Sequence, residues 1–109
     1  MRLSLLLLPL LAACGETECL VADSEPTTPE CDGEDGCCSF TWGSCEDGVS
    51  YELRCDSRDL PTTCTCYEDG TLTTSFEPNG YTCPPNFEEP RVATILAAAN
   101  DGCGWNLTP

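Results

Sequence analysis

Cysteine is the residue type with the greatest chemical potential in this chain of 109 residues, which contains eleven of them. Cysteines can act as nucleophiles, bind zinc or oxidise in pairs to disulfides. Zinc sites favour Cys-x-x-Cys pairs or mixed cysteine and histidine sets, whereas the close spacings here are Cys37-Cys38 and Cys64-Thr65-Cys66 and histidine is absent. The composition therefore predicts a disulfide-stapled protein of an oxidising compartment, with no metal and no cofactor.

The odd number of cysteines separates Cys14 from the others. Cys14 follows a leucine run directly, and without it ten cysteines remain, which is enough for five disulfides with no thiol left over. The spacings leave the pairing open. The disulfide candidates are Cys19, Cys31, Cys37, Cys38, Cys45, Cys55, Cys64, Cys66, Cys83 and Cys103.

Residues 1–13 have the features of a secretion signal. Arg2 supplies positive charge, and the apolar stretch that follows is too short to span a bilayer as a helix. Ordinary signal peptidase prefers small residues at −1 and −3, and a cut after Ala13 would place Leu11 at −3. An ordinary secretory leader, with Cys14 as one more half-cystine, is the alternative interpretation.

The end of this leader, Leu11-Ala12-Ala13-Cys14, resembles the lipobox of bacterial lipoproteins. The resemblance covers only the first fourteen residues. It implies cleavage before Cys14 and attachment of two or three acyl chains, palmitate among them, which anchor the protein stably in a membrane. Because Gly15 rather than Asp follows the cysteine, the resemblance also implies delivery to the outer membrane or cell surface.

The charge of the chain excludes some partners, and its residue types argue against catalysis. The formal net charge is −15, so the surface repels nucleic acid and anionic lipid, and membrane attachment must be covalent or hydrophobic. Neither histidine nor lysine is present, which removes the usual general base and the amine nucleophile. A hydrolase with two carboxylates needs a cleft that so small a domain has little room to form. We therefore expect no enzyme activity.

Acidic and aromatic residues suggest two binding alternatives. The segment CDGEDG at 31–36 brings together the calcium candidates Glu30, Asp32, Glu34 and Asp35, although Gly36 stands where a D-x-D-x-D-G loop needs a ligand. Aromatic side chains form either a surface for a protein or glycan partner or the core of a small domain. We expect mainly core, with Tyr67 and Tyr81 exposed; the five considered are Trp42, Tyr51, Tyr67, Tyr81 and Trp105.

The elements that must position these residues fall into two segments. Residues 14–36, rich in Glu, Asp, Thr and Pro, predict a lipidated N-terminus followed by a solvated acidic tether. Cys19 and Cys31 either pair with each other and close a small loop or bond the tether to the domain. Residues 37–109 predict a disulfide-stapled domain of two β-hairpins and one helix. We expect a small disulfide-rich, mainly β fold: a four-stranded antiparallel meander with a short C-terminal α-helix.

The first hairpin is predicted around Asp47-Gly48. A two-residue turn there would place Trp42 opposite Leu53 and Phe40 opposite Cys55. This register gives one apolar face, which would form the core side. The residues of that face are Cys38, Phe40, Trp42, Val49, Tyr51, Leu53 and Cys55.

The second hairpin is predicted around Asp69-Gly70, and the helix follows it. A three-residue turn with Gly70 left-handed would align Leu72 and Phe76 with the cysteines of strand TTCTCY. The helix begins near Pro90 and ends at Asn100-Asp101-Gly102, after which Cys103 and Trp105 should attach it to the sheet. Its apolar positions are Val92, Ile95, Leu96 and Ala99.

Together these features predict a cell-envelope lipoprotein with a non-catalytic structural or binding module on a membrane. A secreted, lipid-free inhibitor or toxin-like ligand is one alternative, and a calcium-dependent adhesion module is another. Acylation of Cys14 distinguishes the lipoprotein from the secreted ligand. Sensitivity of the melting temperature to a chelator identifies the calcium-dependent module.

Overall fold

The structure is a computed structural model that describes residues 16–25, 28–31, 36–59, 61–78, 83 and 89–108, with the side chains of 89–93 excepted. The predicted signal peptide, Cys14 and Tyr81 lie outside these residues. The elements are strand β1 (Thr17–Glu25), a 3-10 turn (Pro29–Cys31), β2 (Cys37–Cys45), β3 (Tyr51–Asp56), β4 (Thr63–Glu68), β5 (Thr71–Phe76), helix α1 (Glu89–Cys103) and β6 (Leu107–Thr108).

The strands form one mixed sheet in the order β5-β4-β3-β2-β1-β6, which curves as a half-barrel. Strands β2 to β5 are the four predicted from the sequence, and each pairs antiparallel with the next. The four-stranded meander is nevertheless wrong, because β1 joins β2 antiparallel and β6 joins β1 in parallel. Strand β1 comes from the segment for which the sequence predicts a tether.

Strand β1 shows why composition alone misled. Its side chains are mostly exposed, and three of the nine are acidic, so it lacks the apolar alternation by which a strand is usually recognised. Its one buried side chain is Cys19, which is disulfide-bonded to Cys45 at the end of β2. Backbone pairing and this covalent bond stabilise the strand, and apolar burial contributes little.

The first hairpin has the predicted core face but a different register. Trp42 lies opposite Tyr51 and Phe40 opposite Leu53, two residues from the predicted pairing. A shift of two residues keeps every side chain on its face, so the apolar face is preserved. The shift arises because the turn is centred on Glu46-Asp47, where Gly48 N donates to Cys45 O, one residue before the predicted Asp47-Gly48.

The second hairpin has a tighter turn than predicted. Asp69 and Gly70 alone connect β4 and β5, and both have positive φ (52° and 81°), as a type I′ turn requires. The extra residue lies further along, where the register shifts between Cys66 and Tyr67 and leaves Thr73 without an opposite residue. This β-bulge places Phe76 opposite Cys64, so Phe76 aligns with a cysteine of β4 as predicted, whereas Leu72 pairs with Tyr67 and does not.

Helix α1 covers the inner face of the sheet. Ile95, Leu96 and Ala99 are buried in the core, which confirms the predicted apolar stripe at these positions. The helix extends to Cys103, one residue beyond the predicted end at Gly102. Gly104, with φ of 75°, follows it as the left-handed terminating residue.

All ten cysteines of the domain are paired in five disulfides. The pair between β4 and the end of α1 attaches the helix to the sheet, as expected for Cys103. Two others tie β1 and the 3-10 turn to the two ends of β2, so the segment around β1 is covalently part of the domain. The pairs are Cys19–Cys45, Cys31–Cys37, Cys38–Cys83, Cys55–Cys64 and Cys66–Cys103.

Candidate functional site

The outer face of the sheet, opposite α1, contains a shallow polar groove of about 220 Å³. Its floor is formed by β3 and β4, and the 3-10 turn provides one wall. Strand alternation places the charged residues of β3 and the hydroxyl residues of β4 on this face, because their neighbours in sequence are buried in the core. The lining residues are Thr28, Glu30, Arg54, Cys55, Asp56, Thr63, Thr65 and Tyr67.

Arg54 is the central cation of this groove. Its guanidinium donates to Glu30 Oε2 at 2.7 Å and to both carboxylate oxygens of Glu52, the closer at 3.0 Å. The same guanidinium lies 4.4 Å above the centre of the Tyr67 ring, a cation–π geometry. Three elements therefore meet at one side chain: the 3-10 turn, β3 and β4.

The ion pairs shift the pKa of the groups around Arg54. Although partial burial alone would raise the pKa of Glu30, hydrogen bonds from its own backbone, Thr28 and Arg54 lower it below its ordinary value. The hydrogen bond to Glu52 raises the pKa of Arg54, against the effect of burial. Both groups are therefore charged at neutral pH, and the groove contains a fixed, largely neutralised charge cluster.

The end of β3 carries a second ion pair. Arg58 donates through Nη2 to Asp56 Oδ2 at 2.8 Å and through Nε and its backbone N–H to Oδ1. These bonds, the side-chain one foremost, hold the pKa of Asp56 below its ordinary value. Asp56 is thus ion-paired with Arg58 and is a poor candidate for a general base.

The groove also contains a row of hydroxyl groups on β4 that are not used in hydrogen bonds among the described residues. Thr63, Thr65 and Tyr67 alternate along the strand and so lie on one face, roughly 6–7 Å apart. None of the three side chains donates or accepts a hydrogen bond among the described residues. They are hydrogen-bonding groups available to a ligand in a groove whose charges are already paired.

The calcium candidates are not brought together among the described residues. Glu30 binds Arg54, and Asp32, Glu34 and Asp35 lie outside the part of the chain that the structure describes. Cys31, Cys37 and Asp56 lie close enough to share an ion. The two sulfurs are bonded to each other, however, and a disulfide offers no thiolate ligand.

Most of the aromatic candidates belong to the core. Trp105 packs edge-on against Trp42 and Tyr51, with ring centroids 6.1 and 5.0 Å apart, and its Nε1 donates to Glu68 at 3.0 Å. Tyr67 is half-buried beneath Arg54 and is the described aromatic residue that lines the groove. This distribution agrees with the expectation of a mainly structural role.

A distinct acidic region lies where β1 begins, at what we call the proximal end of the sheet. It consists of residues 16–18, the loop 46–50 and the turn 69–70, which hydrogen bonds join to one another. Glu46 N donates to Glu18 O at 2.9 Å, and Asp69 N donates to Ser50 O at 2.7 Å. The opposite, distal end comprises Glu25, Cys37, Asp56 and Thr63, which lie near one end of the groove.

The sequence analysis did not identify the groove. The available signal was the run Glu52, Arg54 and Asp56, which places a charge at every second position of β3. Within the part of the chain that the structure describes, no helix is long and apolar enough to cross a membrane. Comparison with protein-family models, curated proteins and solved structures finds no match to this chain.

Proposed function

We propose that the chain is a bacterial cell-envelope lipoprotein, acylated at Cys14, that displays a non-catalytic binding or structural module. One observation supports this above the others: the ten remaining cysteines pair entirely with each other. These pairs leave Cys14 without a disulfide partner in the chain. Because all ten other cysteines are paired and residues 11–14 resemble a lipobox, we favour a lipid on Cys14.

The rest of the proposal concerns location and task. Gly15 after the lipid cysteine favours the outer membrane or cell surface. The absence of histidine and lysine, together with the arginine partners of Glu30 and Asp56, favours a module that binds and does not catalyse. The groove over Arg54 is the surface that we assign to a protein or glycan partner.

Intact-mass measurement on the membrane-extracted protein tests the proposal. We expect a mature chain that begins at Cys14 and carries the added mass of its acyl chains. Reduction should then add two hydrogens for each of the five disulfides. A Cys14→Ser variant is the control and should accumulate unprocessed and without lipid.

Two results would count against the proposal. A mature chain with an unmodified Cys14, released into the medium, would favour the secreted inhibitor or toxin-like ligand. A smaller mass gain on reduction would show that the ten cysteines are not all paired, which would remove the main support for a separate role of Cys14.

A further inference from the structure

The fold begins very close to the proposed anchor. Cys14 and Thr17 are three residues apart, so the intervening chain spans at most ~11 Å even when fully extended. The sequence predicts a spacer up to residue 36, but β1 occupies Thr17–Glu25 and takes the part nearest the anchor into the sheet. A domain held on so short a connection stands at the membrane surface.

The first residues of β1 are also fixed to the domain. Thr17 N donates to Asn106 O at 2.7 Å, and Glu18 N donates to Glu46 Oε1 at 3.1 Å. The disulfide Cys19–Cys45 follows immediately. From residue 17 onward, the chain that connects the anchor to the proximal end of the sheet is therefore fixed to the domain.

Two exposed apolar side chains lie near the same end. The large apolar side chains that remain exposed among the described residues are Leu20, Val21 and Leu72, at 77%, 44% and 58%. Leu20 and Val21 lie on the proximal side of the row in which Ala22 pairs with Trp42, whereas Leu72 lies on β5, opposite Tyr67 of the groove. The adjacent residues Leu20 and Val21 are therefore the exposed apolar side chains nearest the proposed anchor.

We infer that the proximal end of the sheet rests against lipid headgroups, with Leu20 and Val21 at the membrane interface and the distal end of the sheet away from the membrane. This inference rests on the proposed acylation of Cys14. The surface that it fits is zwitterionic, because the same end also presents carboxylates, which include Glu46 and Asp69. Anionic lipid at low ionic strength should repel it.

Fluorescence energy transfer to an acceptor lipid measures this orientation on the full, acylated chain. The chain contains no lysine, so a single introduced lysine provides the side-chain attachment site for an amine-reactive donor, and peptide mapping confirms the site. Ser50→Lys places the donor at the proximal end and Thr63→Lys, its matched control, at the distal end. Both positions are exposed.

The expected result on phosphatidylcholine vesicles is stronger transfer from the proximal donor. The two ends are separated by the length of β3, ~17 Å, so we expect at least about a twofold difference in transfer. Replacing part of the lipid with phosphatidylglycerol at low salt should reduce the proximal signal, and added salt should restore it.

The outcomes distinguish the inference from the proposal beneath it. Equal transfer from both donors, or stronger transfer from the distal one, on vesicles that do retain the protein would overturn the orientation and leave the acylation intact. Failure to bind vesicles together with an unmodified Cys14 mass would overturn both. In the variant Leu20→Ser/Val21→Ser, a smaller difference between the donors would support the apolar contact, and an unchanged one would contradict it.

Discussion

At the scale of single residues, the hydrogen bond from Tyr51 to Asp47 connects the core to the proximal loop. This bond and the one from the Val49 N–H hold the pKa of Asp47 below its ordinary value of 3.8. Because the pKa is lower in the folded chain, the bond stabilises the fold above that value. Its contribution is lost as the pH falls through the lowered pKa.

Tyr51→Phe should therefore lower the free energy of unfolding at pH 7, by about 1 kcal/mol or less because Asp47 is exposed to solvent. The difference from the wild type should shrink as the pH falls below the ordinary aspartate pKa of 3.8 and through the lowered pKa of Asp47. Urea denaturation at several pH values measures it. Tyr67→Phe is the control, since its hydroxyl has no hydrogen-bond partner among the described residues; a pH-independent loss in Tyr51→Phe would contradict the assignment.

Gly102 is a second residue with a sharp prediction. A Cβ added at this position would overlap the ring of Phe76, so the helix can approach β5 only because residue 102 has no side chain. Gly102→Ala should destabilise the domain by ~1–3 kcal/mol, despite the better helix propensity of alanine. Gly43→Ala, where a Cβ meets nothing within 4 Å, is the matched control. Thermal unfolding compares the two, and a more stable Gly102→Ala would refute the close contact.

At the scale of elements, the disulfides should differ in their effect on stability. Cys66–Cys103 closes a sequence separation of 37 residues and Cys31–Cys37 one of 6. In the chain-entropy description, the longer loop contributes roughly 1.6 kcal/mol more. Removal of each pair by double alanine substitution, followed by denaturant unfolding, tests this. A larger loss from the short loop would show that native contacts of the 3-10 turn, and not loop closure, dominate.

The elements also show what the sequence could and could not reveal. Strands β2 to β4 and helix α1 were predictable because their buried side chains recur at period 2 or at helical spacing, as Phe40, Trp42 and Ile95 illustrate. Strand β5 has no buried side chain and was predictable from the Asp69-Gly70 turn before it. Strand β1 was not, because a mostly exposed strand fixed by one disulfide has no such period. The groove depends on Glu30 reaching Arg54 across 24 residues, a distance that local patterning does not encode.

At the scale of the whole molecule, the net charge of −15 opposes compaction. Added salt screens this repulsion, so the melting temperature should rise between ~0.02 and ~0.5 M NaCl, over which the Debye length falls several-fold. Calorimetry measures the shift, and KCl should reproduce it if the effect is general screening. A fall in melting temperature would mean that the ion pairs of Arg54 and Arg58 outweigh the repulsion.

The parallel pairing of β1 with β6 has a mechanical consequence. A pull on the N-terminus meets first the two residue pairs Thr17–Leu107 and Glu18–Thr108. Beyond them the load passes at Cys19 into a covalent bond to β2, from which further disulfides distribute it. Tension on the anchor can thus break only a few hydrogen bonds before the load is carried by disulfides. The domain should therefore extend very little under force until these disulfides are reduced.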